Sequence, residues 1–281
     1  MARRFEAGAT LRGAAVTVLV LVALVGITLL ATRQAGRTSR YRVNAAAVGV
    51  SEVPTWLPGG AKETGLDRPL ALEARSVFDA QLPVDAAQSA LKNPWVKNVV
   101  SVERGFPNAI KLNIEMRTPV AFLEQGHERI AVDGEWVVLE RSSKIAANSL
   151  PLVQGPAASA PAAGKRLDPV RHAAWCEAID LVTALRAAGD HPALETLRVR
   201  AVRVGGAAGR KPGSPDLSLV TDLALPVRWG IAPGRDPAAP ADEVRHKLDQ
   251  LRLALQRWPG LVGLSSVDLS YPGGVDVQVR R

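Results

Sequence analysis

Apolar and polar positions change period several times along the chain, and each change marks an element. Gly13 to Thr32 is twenty residues without a charge, rich in Val, Leu, Ala and Ile. That length crosses a bilayer core as one helix. Tyr41 to Val50 predicts a first strand, ended by Pro54 and Pro58-Gly59-Gly60, with a loop over 59–69. Leu70 to Leu82 predicts a helix with Leu72, Val77 and Phe78 among its apolar positions. A shorter helix runs from Asp85 as N-cap to Leu91 and is stopped by Pro94. From Pro94 to Ala121 the period becomes two. Val100, Val102 and Arg104 share one face of a strand, and Ile110, Leu112, Ile114 and Met116 share one face of the next. Gly105, Pro107 and Asn108 supply the turn between them. Trp95 is expected to fill the gap between this helix and the hairpin.

Beyond Phe122 the pattern is again strand-like, then mixed. Arg129 to Glu140 alternates around Asp133-Gly134, a two-residue hairpin signal. Gln154 to Lys165 is rich in Gly, Pro and Ala and predicts a mobile loop. Asp168-Pro169 opens a helix by cap and first-turn proline. Trp175, Ile179, Val182 and Leu185 form its apolar stripe, and Gly189 ends it. Strands follow at 196–204, 217–221 and 223–229, with a loop from Gly205 to Pro215. Asp242 to Trp258 is the clearest helix: Val244, Leu248, Leu251, Leu255 and Trp258 recur at helical spacing. Val267, Leu269 and Tyr271 alternate as a strand, Pro272-Gly273-Gly274 turns, and Val275, Val277 and Val279 form a last strand. The fold class is α+β, with strand, helix, helix, strand, strand over residues 41–117 and a mostly antiparallel β region with flanking helices over 118–281.

Charge changes the picture only locally. The net charge of +8 suggests nucleic acid until the charge is located. Residues 1–42 hold seven Arg and one Glu, leaving 28 basic and 26 acidic residues in the other 239. The basic character is therefore juxtamembrane, where it meets anionic head groups. The remainder has no basic, aromatic stripe of the kind that nucleic acid requires. Arg3, Arg4 and Arg12 precede the apolar run; Arg33, Arg37, Arg40 and Arg42 follow it. Such a balance does not orient a span. The run is too long for a signal-peptide core and no small-x-small cleavage site follows, which favours an uncleaved anchor. One cysteine, Cys176, excludes an intrachain disulfide.

Candidate chemistry is sparse. The four histidines, at 127, 172, 191 and 246, are scattered, and no HExxH, CxxC, Walker loop or GxSxG occurs. His172 and Cys176 fall at i, i+4 on one helix, half a metal site at most; structural zinc needs four ligands. Glu124, Glu128, Asp133, Glu135 and Glu140 alternate with apolar residues, as on a solvated strand face rather than as a glycosidase pair. No catalytic residue, cofactor, metal or small-molecule substrate is expected. What remains is surface. Val275 to Val279 is short and has little chain after it to cover its outer edge, so it could accept an extended partner segment by strand addition. An ordinary interior or capped strand explains the pattern equally well.

Five local stretches, taken in order, resemble the bacterial cell-division family FtsQ, also called DivIB. They are Pro94-Trp95-Val96 with Val100-x-Val102-x-Arg104-x-Phe106-Pro107; Ile114 through Arg117-Thr118-Pro119-Val120-Ala121; Val132-Asp133-Gly134; Leu150-Pro151-Leu152-Val153 with Gly155; and Lys247 to Leu255 followed by Val267-Asp268-Leu269-Ser270-Tyr271-Pro272-Gly273-Gly274. Met116 stands where the family usually has Glu, and Ser270 where it usually has Arg. The resemblance implies a cytoplasmic tail (1–12), a transmembrane helix (13–32), a juxtamembrane linker (33–40), a POTRA domain of β-α-α-β-β order (41–117) and a β domain (118–281). It implies a non-enzymatic divisome scaffold in the cytoplasmic (inner) membrane. The N-terminus would be cytoplasmic and the bulk of the chain periplasmic, at the septum. Such a scaffold links early and late division components and helps control septal peptidoglycan synthesis. Its partners would be FtsB-like and FtsL-like bitopic proteins, other divisome components, and lipid along 13–32. The residues matching the family's strand-addition site are Tyr271, Gly273, Gly274, Val275, Val277 and Val279. Two other classes stay in view: a POTRA-type envelope transport module binding extended polypeptide, and a membrane-tethered cell-wall hydrolase.

Overall fold

A computed structural model describes residues 3–43, 48–50, 75–139, 150–155, 159–205, 216–223, 225–234, 242–259, 262–271 and 274–279. They fall into two compact units, one built from residues up to 50, 75–91 and 98–115, the other from 92–97 and 116 onward.

The first unit opens with helix α1 (Arg3–Arg37). Its backbone runs unbroken through the uncharged stretch. The side chains described there without interruption extend from Ala15 to Ala31, and Val16, Leu19, Val22, Ile27 and Leu30 among them are exposed. Among the described residues no helix is long and apolar enough to cross a membrane. A 3-10 turn (Ser39–Tyr41) follows, then β1 (Val48–Val50), α2 (Leu82–Leu91), β2 (Val96–Gly105) and β3 (Ala109–Met116). The three strands make one sheet in the order β1-β3-β2, with β1 parallel to β3. α2 forms because Leu82, Ala86 and Ala90 recur every four residues; all three are buried on one stripe, and the two alanines allow a close approach. They meet Val43, Val77, Ile110 and Leu112, with Tyr41, Val99, Val102 and Ile114 packed around them.

Four expectations change here. The first strand does not begin at Tyr41, which ends the 3-10 turn; regular pairing starts at Val48. The helix expected over 70–82 is absent where it is described, since 70–74 lie outside the described residues. Ser76 bridges Arg42 antiparallel, and Asp79 accepts the Gln81 N–H at 2.9 Å, closing a turn that competes with helix. Asp85 is not an N-cap but lies in the first turn of α2. In β2, Val99 and Val102 face the core, three residues apart, while Val100 is 69% exposed. Strict alternation therefore breaks inside this strand.

The second unit is an eight-stranded sheet. Its strands are β4 (Pro119–Gln125), β5 (Glu128–Asp133), β6 (Leu152–Gln154), β7 (Val199–Gly205), β8 (Asp216–Thr221), β9 (Pro226–Gly230), β10 (Leu264–Asp268) and β11 (Asp276–Val279). The spatial order is β11-β10-β9-β8-β7-β6-β4-β5. Helices α3 (Ala173–Ala187) and α4 (Pro192–Leu197) lie between β6 and β7 in the chain, and α5 (Glu243–Arg257) between β9 and β10. These insertions make the sheet mixed rather than mostly antiparallel. A helical crossover returns the chain to run alongside the strand it left, so β6–β7 and β9–β10 are parallel, as is β4–β6. One core joins the sheet to both long helices: Trp175, Ile179, Val182 and Leu185 from α3, Leu248 and Leu251 from α5, and Leu217, Leu219, Val227 and Val267 from the strands.

Boundaries move for local reasons. α3 starts at Ala173, because Asp168 caps a preceding turn, accepting N–H groups of Val170 and Arg171. Residues 196–197 belong to α4, and β7 begins after Arg198 takes a left-handed φ of 45°. The Asp133-Gly134 turn does reverse the chain, but the return is an isolated bridge from Val138 to Val132, with Val137 bridging Arg166 instead, not a regular strand. The regular partner of β5 is β4, across Gly126-His127, with Gly126 at φ 63°. The described end of the 154–165 segment is pinned rather than loose: Gly164 N–H donates to Val138 O at 2.7 Å and Val138 N–H to Lys165 O at 2.9 Å. The loop at 59–69, the one at 206–215 and Glu140 lie outside the described residues.

Candidate docking edge

A sheet of this order has two ends. At one, β5 is crossed by the returning chain: Val132 bridges Val138, and Leu139 N–H donates to Ala131 O at 2.8 Å. At the other, β11 pairs with β10 alone and has no outer neighbour among the described residues. Its alternate N–H and C=O groups are the sheet's open template.

Three features hold β11 in place. Antiparallel pairing to β10 sets Val267 against Val277 and Asp268 against Asp276, with a register shift between Leu264 and Ser266. Ser265 Oγ donates to Gln278 O at 3.1 Å. Val275 and Val277 pack onto the main core. Behind this hairpin, Arg228 on β9 donates to Asp216 on β8 at 2.7 Å and to Asp268 on β10 at 3.1 Å. Partial burial works against the guanidinium charge, but the two carboxylates more than offset it and raise the pKa above its ordinary value. Asp268 Oδ1 also accepts the Ser270 N–H at 2.7 Å. Asp268 is thus turned to its own side of the ladder, and the like-charged Asp276 opposite it is exposed.

The expected docking residues divide accordingly. Val275 and Val277 are core-side anchors. Val279, 61% exposed, ends β11, and Tyr271, 58% exposed, lies in the connection between β10 and β11. Tyr271 does not continue β10; it stands in a bend beyond Leu269, which is buried. At Gly274 an added Cβ would meet nothing within 4 Å. Gly273 lies outside the described residues. Val262, 80% exposed, precedes β10 at the end where Val279 pairs, so two apolar side chains mark that end of the ladder. No sequence signal singled out Val262, or the Arg228 clamp, whose acidic partners lie 12 and 40 residues away.

The sequence's other chemical candidates are committed elsewhere. His172 stacks on Trp175 at 5.7 Å between ring centroids, and its Nε2 lies 3.1 Å from Ser159 O. Cys176 is buried in the core. Among the described residues no cluster of three or more His, Cys, Asp or Glu could hold a metal ion. The acidic stretch is not one solvated face. Asp133 is 4% exposed; it receives Arg117 at 2.6 Å and accepts N–H groups of Glu135 and Val137. Neither a protein-family model nor any curated protein matches the chain.

Proposed function

We propose that the chain is a membrane-anchored, non-enzymatic scaffold of the FtsQ type, which captures an extended segment of an FtsB-like partner on β11. The observation that carries this reading is the position of β11. It is the end strand of an eight-stranded sheet, with no outer neighbour among the described residues, whereas the other end is crossed; Val279 at its close and Tyr271 in the connection before it are exposed. Strand addition takes its affinity from main-chain hydrogen bonds and its selectivity from flanking side chains. A docking edge needs no catalytic group. In this reading the uncharged run 13–32, continuous within α1, is the anchor in the cytoplasmic membrane. Residues 41–117 are the POTRA domain and 118–281 the β domain, and both lie outside the cytoplasm.

Co-purification from membranes with an FtsB-like partner tests the edge. Tyr271→Ala alters an exposed residue and is expected to weaken capture while leaving the fold intact. Val277→Lys is expected to abolish it. Normal capture by a folded Val277→Lys chain would sink the assignment. An envelope-transport module that binds extended polypeptide would use the same edge. A fluorescent fusion separates the two, with midcell rings for division and uniform envelope signal for transport. A topology reporter after Arg281 reads the orientation.

A further inference from the structure

The first unit carries an aromatic cluster at the rim of its core, where Tyr41 packs on the core and two phenylalanines extend outward from it. Tyr41, Phe78 and Phe106 come from three separate segments: the 3-10 turn, the turn before α2, and the β2–β3 turn. Their ring centroids lie 5.2 Å (Tyr41–Phe78) and 5.5 Å (Tyr41–Phe106) apart. Phe78 is nevertheless 42% exposed and Phe106 70%. Exposed aromatic side chains held together at a surface mark a contact face.

What covers that face follows from where the chain places it. Tyr41 lies nine residues beyond Thr32, the last residue of the uncharged run. The helix covers five of these residues, about 8 Å at 1.5 Å each, which is roughly the depth of one headgroup layer. The connection has no slack. One residue, Thr38, separates α1 from the 3-10 turn, whose Tyr41 N–H donates to Thr38 O at 3.0 Å. Tyr41 O then accepts Val77 N–H at 2.8 Å, and Val43 N–H donates to Arg75 O at 2.8 Å. The cluster is therefore tied directly to the end of the apolar helix. Charge points the same way. Arg33, Arg37, Arg40 and Arg42 fall within ten residues, and no acidic residue occurs between Glu6 and Glu52. Arg33, Arg40 and Arg42 are exposed. One tyrosine and two exposed phenylalanine rings beside a run of arginine match the two layers of an anionic membrane surface, glycerol backbone and phosphate.

We propose that Tyr41, Phe78 and Phe106, with Arg40 and Arg42, dock the first unit onto anionic lipid headgroups at the foot of α1. The proposal rests on α1 being the membrane anchor. It is tested on the full chain reconstituted into vesicles of phosphatidylcholine with or without phosphatidylglycerol. Nitroxide labels are placed singly by Phe106→Cys, Leu24→Cys and Val170→Cys; Cys176, 1% exposed, is shielded from labelling. Collision with oxygen and with a water-soluble nickel chelate reports depth. A label at 24 should sit in the lipid core and one at 170, where the native residue is 88% exposed, in water. A label at 106 should lose chelate collisions and gain oxygen collisions when phosphatidylglycerol is present. Arg40→Glu with Arg42→Glu should return 106 to the aqueous value without moving 24. A lipid-buried 24 with a 106 as aqueous as 170 overturns the docking while leaving the anchor standing. An aqueous 24 overturns the anchor and the docking with it. A 106 shielded from both colliders marks a protein contact and also overturns the proposal.

Discussion

Arg117 lies one residue past β3, where a sequence reading sees only the end of an alternating strand. Its guanidinium donates to Asp133 at 2.6 Å and to Glu135 at 3.1 Å, and Lys97 reaches Glu135 at 3.1 Å. Asp133 is nearly inaccessible, so removing Arg117 leaves a buried carboxylate with only two N–H donors. Arg117→Ala should cost about 2–3 kcal/mol in denaturant unfolding, below the full cost of an orphaned buried ion because those donors remain. The same network sets a pH response. Hydrogen bonds from Lys97, then Arg117, hold Glu135 below the usual carboxylate range. Backbone N–H groups of Val170 and Arg171 do so for Asp168, and Arg200 does so for Asp222. Each is a carboxylate whose pKa is lower folded than unfolded. Its contribution is complete above the ordinary value and is lost as pH falls through the lowered one. These carboxylates should therefore make the unfolding midpoint fall below about pH 4. A midpoint that rises between pH 5 and 3 would contradict this. None of it was legible in the spacing of the acidic residues, because Asp133 and its cation stand sixteen residues apart.

Elements were legible to different degrees. The stripes of α3 and α5 read correctly because a 3.6-residue period over fifteen residues samples one face many times. β2 misled because its alternation slips between Val99 and Val102, and a one-residue slip exchanges the faces. The β9–β10 pair shows what pairing adds. Gly230 ends β9 at φ 92°, and an added Cβ would fall 2.8 Å from Ser270 Cβ and 3.0 Å from its Cα. Any side chain there meets both a strained backbone and a fixed neighbour. Gly230→Ala should destabilise by about 1–3 kcal/mol and, because Ser270 follows β10, should also loosen the β10–β11 hairpin. Amide hydrogen exchange would then rise at Val277 and Val279 more than at Phe122 and Leu123 in β4. Equal rises throughout would count against a local effect.

For the whole molecule, the consequential quantity is strand order. If β11 is the open edge, adding a synthetic strand peptide from an FtsB-like partner should protect the Asp276–Val279 amides and leave those of Glu128–Asp133 unchanged. Protection at β5 instead would place docking at the other end of the sheet. Sequence by itself determined that this chain holds an uncharged helical run flanked by arginine, a helix with a following hairpin, and two long amphipathic helices among strands. Those are properties of consecutive residues, and backbone sterics with hydrophobic period decide them locally. Only the tertiary structure decided that α3 and α5 turn a nominally antiparallel sheet into a mixed one, that Asp133 is buried, and that, among the described residues, β5 is crossed while β11 has no outer neighbour. Each of these depends on which distant segments become neighbours, and neighbour choice is settled by burying the shared core rather than by any local pattern.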